Sequence, residues 1–233
     1  HFSESWSEEF IIIAGNSFLL SATAALIACL IGLMLAYSRR LSPSRGLVGA
    51  VRFANLGYAL PGAVLAIGVI IPFATFDNAL DALMREYFGI STGLLLSGTI
   101  TAVLFAYVVR FLAVAHGSIE SSLTKITPTM DMASRSLGHN SLQTLLKVHL
   151  PLIRGGIMTG GLVVFVDCMK ELPATLILRP FNFDTLATYV YQFASDEMLE
   201  ESALGALLIV LAGLIPVIMF SRSIASSQQA NGA

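Results

Sequence analysis

Three charged side chains stand together at the end of a long apolar stretch. Asp167, Lys170 and Glu171 lie at or just beyond the end of the apolar segment 153–169. Inside a membrane such charges are costly unless paired or hydrated, and they mark paths for substrates or protons. Lys170 can neutralise Asp167, three positions earlier on the same helix face. This charged cluster predicts a translocation path or gate; the alternative is a charged loop that anchors the next helix at the membrane surface.

Two prolines interrupt apolar stretches. Pro173 follows the charged cluster, and Pro61 with Gly62 lies inside the apolar segment 49–73. Proline removes a helical hydrogen bond. At membrane depth, a broken backbone is tolerated only against other protein or beside a water-filled path. We therefore add Pro61, Gly62 and Pro173 to the predicted path or gate, with a simple packing kink as the alternative at Pro61.

The sequence lacks the motifs of enzymatic chemistry. It contains no CxxC, HExxH, GxSxG or P-loop pattern. Cys29 and Cys168 lie in apolar segments, which favours packing over a disulfide or a metal pair. His116, His139 and His149 are scattered over loop and short-helix segments, and no Tyr, His and carboxylate cluster has metal-ligand spacing. We expect no catalytic residue, no metal site and no bound cofactor, and an intramembrane enzyme is the least favoured class.

The longest polar island, Met130 to Pro151, begins with a short helix. Thr127 can cap this helix, Pro128 suits its first position, and Asp131 suits the positive end of its dipole. Gly138 allows the left-handed turn that ends a helix. One face of the helix is apolar, at the helical spacing of Met130, Ala133 and Leu137.

A second short helix follows in the same island. Asn140 or Ser141 can cap it, and its apolar face carries Leu142, Leu145 and Leu146. Pro151 disturbs the hydrogen-bond ladder. The island therefore predicts two short amphipathic helices hinged at Gly138, and an exposed hairpin with an apolar stripe is a docking surface. The alternative is an ordinary amphipathic loop.

The composition is that of a membrane protein. Of 233 residues, 55% are hydrophobic and 12% are charged, against about 25% charged in soluble domains. The sequence predicts an all-α, polytopic membrane helical bundle. Apolar runs long enough to cross a membrane predict about five transmembrane helices, at 10–37, 49–73, 93–111, 153–169 and 198–220.

Positive charges set the predicted orientation. Ten of the thirteen Lys and Arg residues fall on one side of the five-span arrangement, which is the cytoplasm by the positive-inside rule. The N-terminus is then outside and the C-terminus inside. Residues 1–9 form a periplasmic segment, 10–222 the membrane domain with a cytoplasmic loop at 119–152, and 223–233 a disordered cytoplasmic tail.

Three further expectations follow from this arrangement. Arg110 should reach the cytoplasmic interface, since long cationic side chains extend to it. His116 should lie in a solvated loop. Residues 76–92 should form a short amphipathic helix on the outer face.

The polar island resembles the EAA loop of ABC importer permeases. The pattern is followed by Ala133 and Ser134, then after three residues Gly138, after nine more Val148, and after one more Leu150-Pro151. One position departs from it: Met132 stands where the family has a glutamate, although Asp131 is adjacent. In that family the loop sits in a cleft of the ATPase subunit. The resemblance implies a coupling role for Asp131, Ala133, Ser134, Gly138, Leu142, Leu145, Leu150 and Pro151.

A second resemblance covers nearly all of the chain. The chain is similar to the C-terminal half of ferric-iron ABC permeases, in which two homologous halves are fused. The similarity is carried by residues 170–175, 178–181 and 183–188, and by Leu60-Pro61-Gly62. This implies the type I ABC importer permease fold and Fe(III) uptake. Permeases for thiamine, polyamines, phosphate and sulfate share the general pattern, so another small solute stays open. The acidic start without Met fits a C-terminal half.

The resemblance also implies partners. Cytoplasmic ATPase subunits would use ATP and Mg, a periplasmic or extracellular binding protein would deliver the substrate, and a second permease half would complete the path among membrane lipids. No nucleic acid is expected, and the location is a bacterial inner membrane. The alternative from another class is a proton-coupled secondary transporter with Asp167, Lys170 and Glu171 as its relay.

Overall fold

The computed structural model describes residues 8–42 and 44–231, with the backbone alone for 215–217 and 219–231. Within this part of the chain the fold is entirely helical, which confirms the predicted class. The elements are α1 (Glu8–Leu41), α2 (Arg45–Ala54), α3 (Gly62–Phe88), α4 (Ile100–Leu123), α5 (Pro128–Ser136), α6 (Ser141–Thr144), α7 (Leu150–Met169), α8 (Pro173–Leu178), α9 (Leu186–Ser195) and α10 (Leu199–Asn231).

Long apolar helices form the bundle. Among the described residues, four helices are long and apolar enough to cross a membrane: α1, α3, α4 and the continuous helix Ser141–Met169. A polytopic membrane bundle is therefore confirmed. Helix α10 covers the predicted fifth span at 198–220. The number of spans and their orientation stay predictions.

Helix α4 lies at the centre of the bundle, packed against α1 and α7. Its core positions are small, and Ala102, Ala106 and Ala115 are fully buried, as are Ala24 and Ala28 of α1. Small side chains let helix backbones approach closely, which drives helix association in membranes. These three helices form the frame to which the functional elements are attached.

The second predicted span is wrong in its bounds. Helix α2 ends at Ala54, a 3₁₀ turn covers Asn55–Ala59, and Pro61 then caps α3, which starts at Gly62. The proline therefore separates two helices, because a residue without an N–H suits a helix start better than a helix interior.

Helix α3 also absorbs most of the predicted surface helix 76–92. It runs to Phe88, and its two aspartates accept hydrogen bonds from the loop that follows. Asp77 accepts from the backbone N–H groups of Leu96 and Ser97, and Asp81 from those of Thr92 and Gly93. Because the loop satisfies these carboxylates, the long helix α3 can carry them without breaking.

Helix α4 begins later and ends later than the predicted span 93–111. It covers 100–123, so His116 lies within it, and the histidine is only 1% exposed. The expectation of a solvated loop histidine is therefore wrong. Arg110 falls near the middle of the helix and not near its end, because the whole span is shifted along the chain.

The chain ends differ from expectation where the structure describes them. Helix α10 continues to Asn231, so 223–231 is helical and not disordered. The Ala and Gln residues of this segment are good helix formers and extend the helix that precedes them. Residues 1–7 of the predicted periplasmic segment lie outside the described part, and α1 begins at Glu8.

Candidate functional site

Local capping builds the α5–α6 hairpin, residues 127–144. Thr127 precedes α5 with Pro128 in its first turn, although the Thr127 hydroxyl bonds that of Thr129 and not a helix N–H. Gly138 adopts the left-handed conformation at φ 82°, which disfavours any residue with a Cβ. Asn140, and not Ser141, caps α6 through a reciprocal pair of bonds with Gln143. The two predicted short helices and their glycine hinge are present.

The hairpin exposes large apolar side chains. Met132 is 66% exposed, Leu137 77%, Leu142 62% and Leu146 52%. Of the other residues predicted here, Ala133, Gly138 and Pro151 are exposed, whereas Leu145 and Leu150 are half-buried. Apolar side chains grouped in this way at one end of a bundle suit a protein partner.

Ser134 acts inside the hairpin. Its side chain is buried, its hydroxyl lies 2.8 Å from that of Thr144 on α6, and it also contacts Nδ1 of His139 at 3.2 Å. The residue therefore fastens α5 to α6. Its small side chain permits this contact, and it offers little surface to a partner.

Asp131 joins the hairpin to the bundle. Its carboxylate accepts hydrogen bonds from Nε and Nη2 of Arg40 at 3.0 and 2.8 Å, and pairs with Nε2 of His149 at 2.6 Å. Sequence reasoning counted Arg40 only among the ten positive charges that set the orientation, and His149 only among the scattered histidines. The signal was weak, since the three residues are separated by 91 and 18 positions along the chain.

The same hairpin is continuous with a membrane helix. A π-helical turn, Leu145–His149, connects α6 to α7, and Pro151 lies in the first turn of α7. The hydrogen-bond ladder is therefore disturbed ahead of Pro151, as predicted, and the wider turn accommodates the missing hydrogen bond so that the helix continues.

The charged cluster is partly paired as predicted. Lys170 Nζ lies 2.9 Å from an Asp167 oxygen. Glu171 is buried; it accepts a hydrogen bond from the Ala174 N–H at 3.1 Å and lies 3.8 Å from Nη1 of Arg110. Arg110 therefore points into the bundle and not to the cytoplasmic interface, which corrects the prediction.

Gly62 makes the approach of these charges possible. A Cβ at this position would overlap both Nη1 of Arg110 and Oε1 of Glu171. Nε and Nη1 of Arg110 are buried and have no hydrogen-bond partner in the described part of the chain. The predicted residue Gly62 thus touches the cluster, while Pro61 caps α3 beside it.

A cavity of about 440 Å³ opens beside this pair. Its lining residues are Tyr58, Arg110, Phe111, Asp167, Lys170 and Glu171. Ionisable groups beside a cavity within a membrane bundle are typical of a hydrated path. The structure therefore brings Gly62, Asp167, Lys170 and Glu171 together and adds Arg110, which the sequence did not indicate.

The Glu171 carbonyl, at the backbone break before α8, is satisfied by two hydroxyl groups. Pro173 occupies the first turn of α8. The carbonyl of Glu171 accepts from the Thr175 hydroxyl at 2.6 Å and from the Tyr107 hydroxyl at 3.3 Å. Non-helical backbone at this depth needs such partners.

Over the described residues, no group of three or more His, Cys, Asp and Glu is placed to hold a metal ion.

Comparison with known proteins finds related permeases. No protein-family model matches the chain. It is 28% identical over 214 residues to the Fe(3+)-transport system permease protein FbpB 2 of Haemophilus influenzae, covering 92% of this chain and 39% of that protein. It is 24% identical to the ferric transport system permease protein FbpB of Actinobacillus pleuropneumoniae, over 89% of this chain and 30% of that protein. The chain thus spans less than half the length of these two relatives.

Other relatives are permeases for different solutes. The sulfoquinovosyl glycerol transport system permease protein SmoH of Agrobacterium fabrum is 26% identical over 93% of this chain and 71% of its own length. Because these relatives transport several classes of solute, their similarity to this chain supports a permease more strongly than it supports any one transported solute.

Solved structures share the fold. A chain of the bacterial alginate ABC transporter, in complex with an alginate pentasaccharide-bound periplasmic protein, matches with a TM-score of 0.73 at 16% identity, over 94% of this chain and 80% of that chain. A chain of the MetNI methionine ABC transporter in an inward-facing conformation matches with a TM-score of 0.59 at 16% identity, over 91% and 97%. The chain has the membrane-subunit fold found in these transporters.

Proposed function

We propose that the chain is the transmembrane permease part of a binding-protein-dependent ABC importer, and that it takes up Fe(III). In this proposal the chain carries no ATPase chemistry itself. ATP and Mg are used by separate cytoplasmic subunits, and the permease converts their closing motion into opening of a path through the membrane.

The observation that carries the proposal is the α5–α6 hairpin. It exposes Leu137 and Leu142 while its inner side is fastened by Ser134 and Asp131. A rigid hairpin with exposed leucines fits an apolar cleft on a protein partner, since large exposed apolar groups mark interaction surfaces. The ATPase subunit is the partner we propose for it.

The cavity beside Arg110 and Glu171 is the proposed part of the path. It contains two acidic and two basic groups, so its ions balance one another and an ion in transit is not held tightly. We place the gate at the contact between Gly62 and the Arg110–Glu171 pair, with the bonded break at Pro173 as its support.

Fe(III) is proposed as cargo because ferric permeases are among the relatives with the greatest sequence similarity. Selectivity would lie chiefly in an external binding protein, which delivers the ion to the outer mouth. A second, homologous permease half would face this one across the path. The location we propose is a bacterial inner membrane.

Capture of the ATPase tests the proposal. The double variant Leu137→Ser with Leu142→Ser removes apolar contact area from the hairpin, so purified permease should retain less of the cognate ATPase. The matched control is Leu94→Ser with Leu95→Ser, two exposed leucines in the loop between α3 and α4. Equal ATPase capture by both double variants would refute the docking role.

The energy source separates the two transport classes. Iron uptake by vesicles should stop when internal ATP is depleted and should continue in the presence of an uncoupler. Uptake that is abolished by the uncoupler and indifferent to ATP would instead identify a proton-coupled carrier.

A further inference from the structure

We propose that Asp131, held between Arg40 and His149, is a positioning residue that passes movement of the α5–α6 hairpin to helices α1 and α4. The inference rests on the proposed function and assigns a transmission role to a group of part-buried and buried polar side chains. The exposed leucines would contact the ATPase, and Asp131 would not.

Arg40 connects three elements with one guanidinium group. Nε and Nη2 donate to Asp131 on α5. Nη1 donates to the carbonyl of Leu123 at 2.8 Å, and Nη2 to that of Ile126 at 2.9 Å. Because these carbonyls end α4 and begin the link to α5, the planar arginine ties the ends of α1 and α4 to the hairpin.

His149 connects the fourth element. Its ring is 1% exposed and bonds Asp131 from the start of α7. Tyr37 of α1 packs edge-on against this ring at 5.5 Å between centroids, and its hydroxyl donates to the carbonyl of Ser141 at 2.6 Å. The contacts from α1 thus reach both ends of the segment that leads from α6 into α7.

Little space separates these groups. The cavity enclosed by Tyr37, Arg40, Asp131 and His149, with their neighbours, measures about 20 Å³, which is room for about one water molecule. The Arg40–Asp131 ion pair is only part-buried, with side chains 17% and 23% exposed, but its several hydrogen bonds and the small space around it make it costly to break. Displacement of α5 should therefore move α1 and α4 with it.

Two sets of residues on one hairpin should then give two different defects. Loss of the exposed leucines weakens ATPase capture. Loss of the Asp131 network leaves capture in place and separates ATP hydrolysis from transport.

The test uses the complete transporter, with the full permease, the ATPase and the binding protein in lipid vesicles. Asp131→Asn and Arg40→Gln should each retain ATPase capture within about twofold of wild type, because neither removes an exposed apolar contact. Iron taken up per ATP hydrolysed should fall at least about fivefold, the lower end of typical coupling between sites. Asp131→Glu, which keeps the carboxylate, should recover most of this ratio.

A double variant distinguishes transmission from simple destabilisation. If Arg40 and Asp131 act as one unit, the two changes together should lower the ratio no further than either alone. Tyr37→Phe removes only the bond to Ser141 and serves as the deciding variant if Asp131→Asn does not reach the membrane. It should lower the ratio at least about twofold, the lower end of the effect of losing one hydrogen bond.

The outcomes separate the inference from the function on which it rests. If Asp131→Asn and Arg40→Gln take up as much iron per ATP hydrolysed as wild type, the transmission role is overturned. If Asp131→Asn does not reach the membrane, the same result in Tyr37→Phe overturns it. Loss of ATPase capture in Asp131→Asn would also overturn it, since Asp131 would then be a docking contact. Failure of the wild-type permease to capture the ATPase would instead reject the proposed function.

Discussion

Replacing Tyr107 by phenylalanine removes one hydroxyl group from the place where α4 supports the break between α7 and α8. The Tyr107 side chain is buried, and its hydroxyl lies 2.6 Å from that of Thr175 and 3.3 Å from the Glu171 carbonyl. The ring and its packing against Phe111 are retained, so the variant isolates the hydrogen bonds.

The structure sets the size of the effect. The Glu171 carbonyl keeps its bond from Thr175, whose hydroxyl donor stays satisfied. The oxygen of Thr175 loses its partner at 2.6 Å, and the Glu171 carbonyl loses only the longer contact at 3.3 Å. The expected loss is therefore about 1 kcal/mol, within the range for one net hydrogen bond. For a chain of this size it corresponds to a melting temperature lower by about 2–4 °C.

Thermal unfolding of the purified protein in one detergent measures this difference. The matched control is Tyr87→Phe, because Tyr87 lies near the end of α3 with its side chain exposed. A melting temperature lowered equally in both variants, or in neither, would refute the role of Tyr107 as an anchor for the broken backbone.

Three further substitutions test other parts of the structure. Gly138→Ala introduces a Cβ at φ 82°, which costs about 1–2 kcal/mol in the left-handed region. The hairpin should then be less well ordered and the permease should capture less ATPase; unchanged capture would contradict this. Ala106→Leu overfills a fully buried position on α4 and should cost about 1–3 kcal/mol in thermal unfolding, whereas wild-type stability would place Ala106 outside the core. Gly62→Ala displaces Arg110 and Glu171 and should reduce uptake while leaving capture unchanged; normal uptake would remove Gly62 from the gate.

The hairpin was predictable because its determinants are local. Pro128, Gly138 and Asn140 act within one turn of their own positions, through a fixed φ, a left-handed turn and a side-chain cap. Such signals need no knowledge of the rest of the fold. Their positions therefore agree with the structure to within a residue or two.

Helix bounds in the membrane were less predictable because distant groups satisfy the charges. Asp77 resembled a surface residue in the sequence, yet its partners are N–H groups 19 and 20 residues later. Once these bonds are known, α3 can extend past the predicted end and α4 can start later. Hydropathy alone does not show that a carboxylate within a helix is satisfied by backbone N–H groups from a later loop.

The site was predictable in part. The charged cluster and Gly62 do come together, because Asp167 and Lys170 are neighbours on one helix turn. Arg110 was missed, since its partner Glu171 lies 61 positions later in the break between α7 and α8, and its own position suggested the membrane interface. The same holds for Asp131, whose partner Arg40 lies 91 residues away.

The π-helical turn at Leu145–His149 separates the sequence spacing of the hairpin from its orientation. An α-helix rotates by about 100° per residue, and a π-helical turn holds one residue more than a regular turn. The surplus amino acid is therefore taken up as extra width, with little rotation of Leu142 about the axis of α7. The chain thus gains a residue ahead of Pro151 while the leucines keep the side of the helix from which they project.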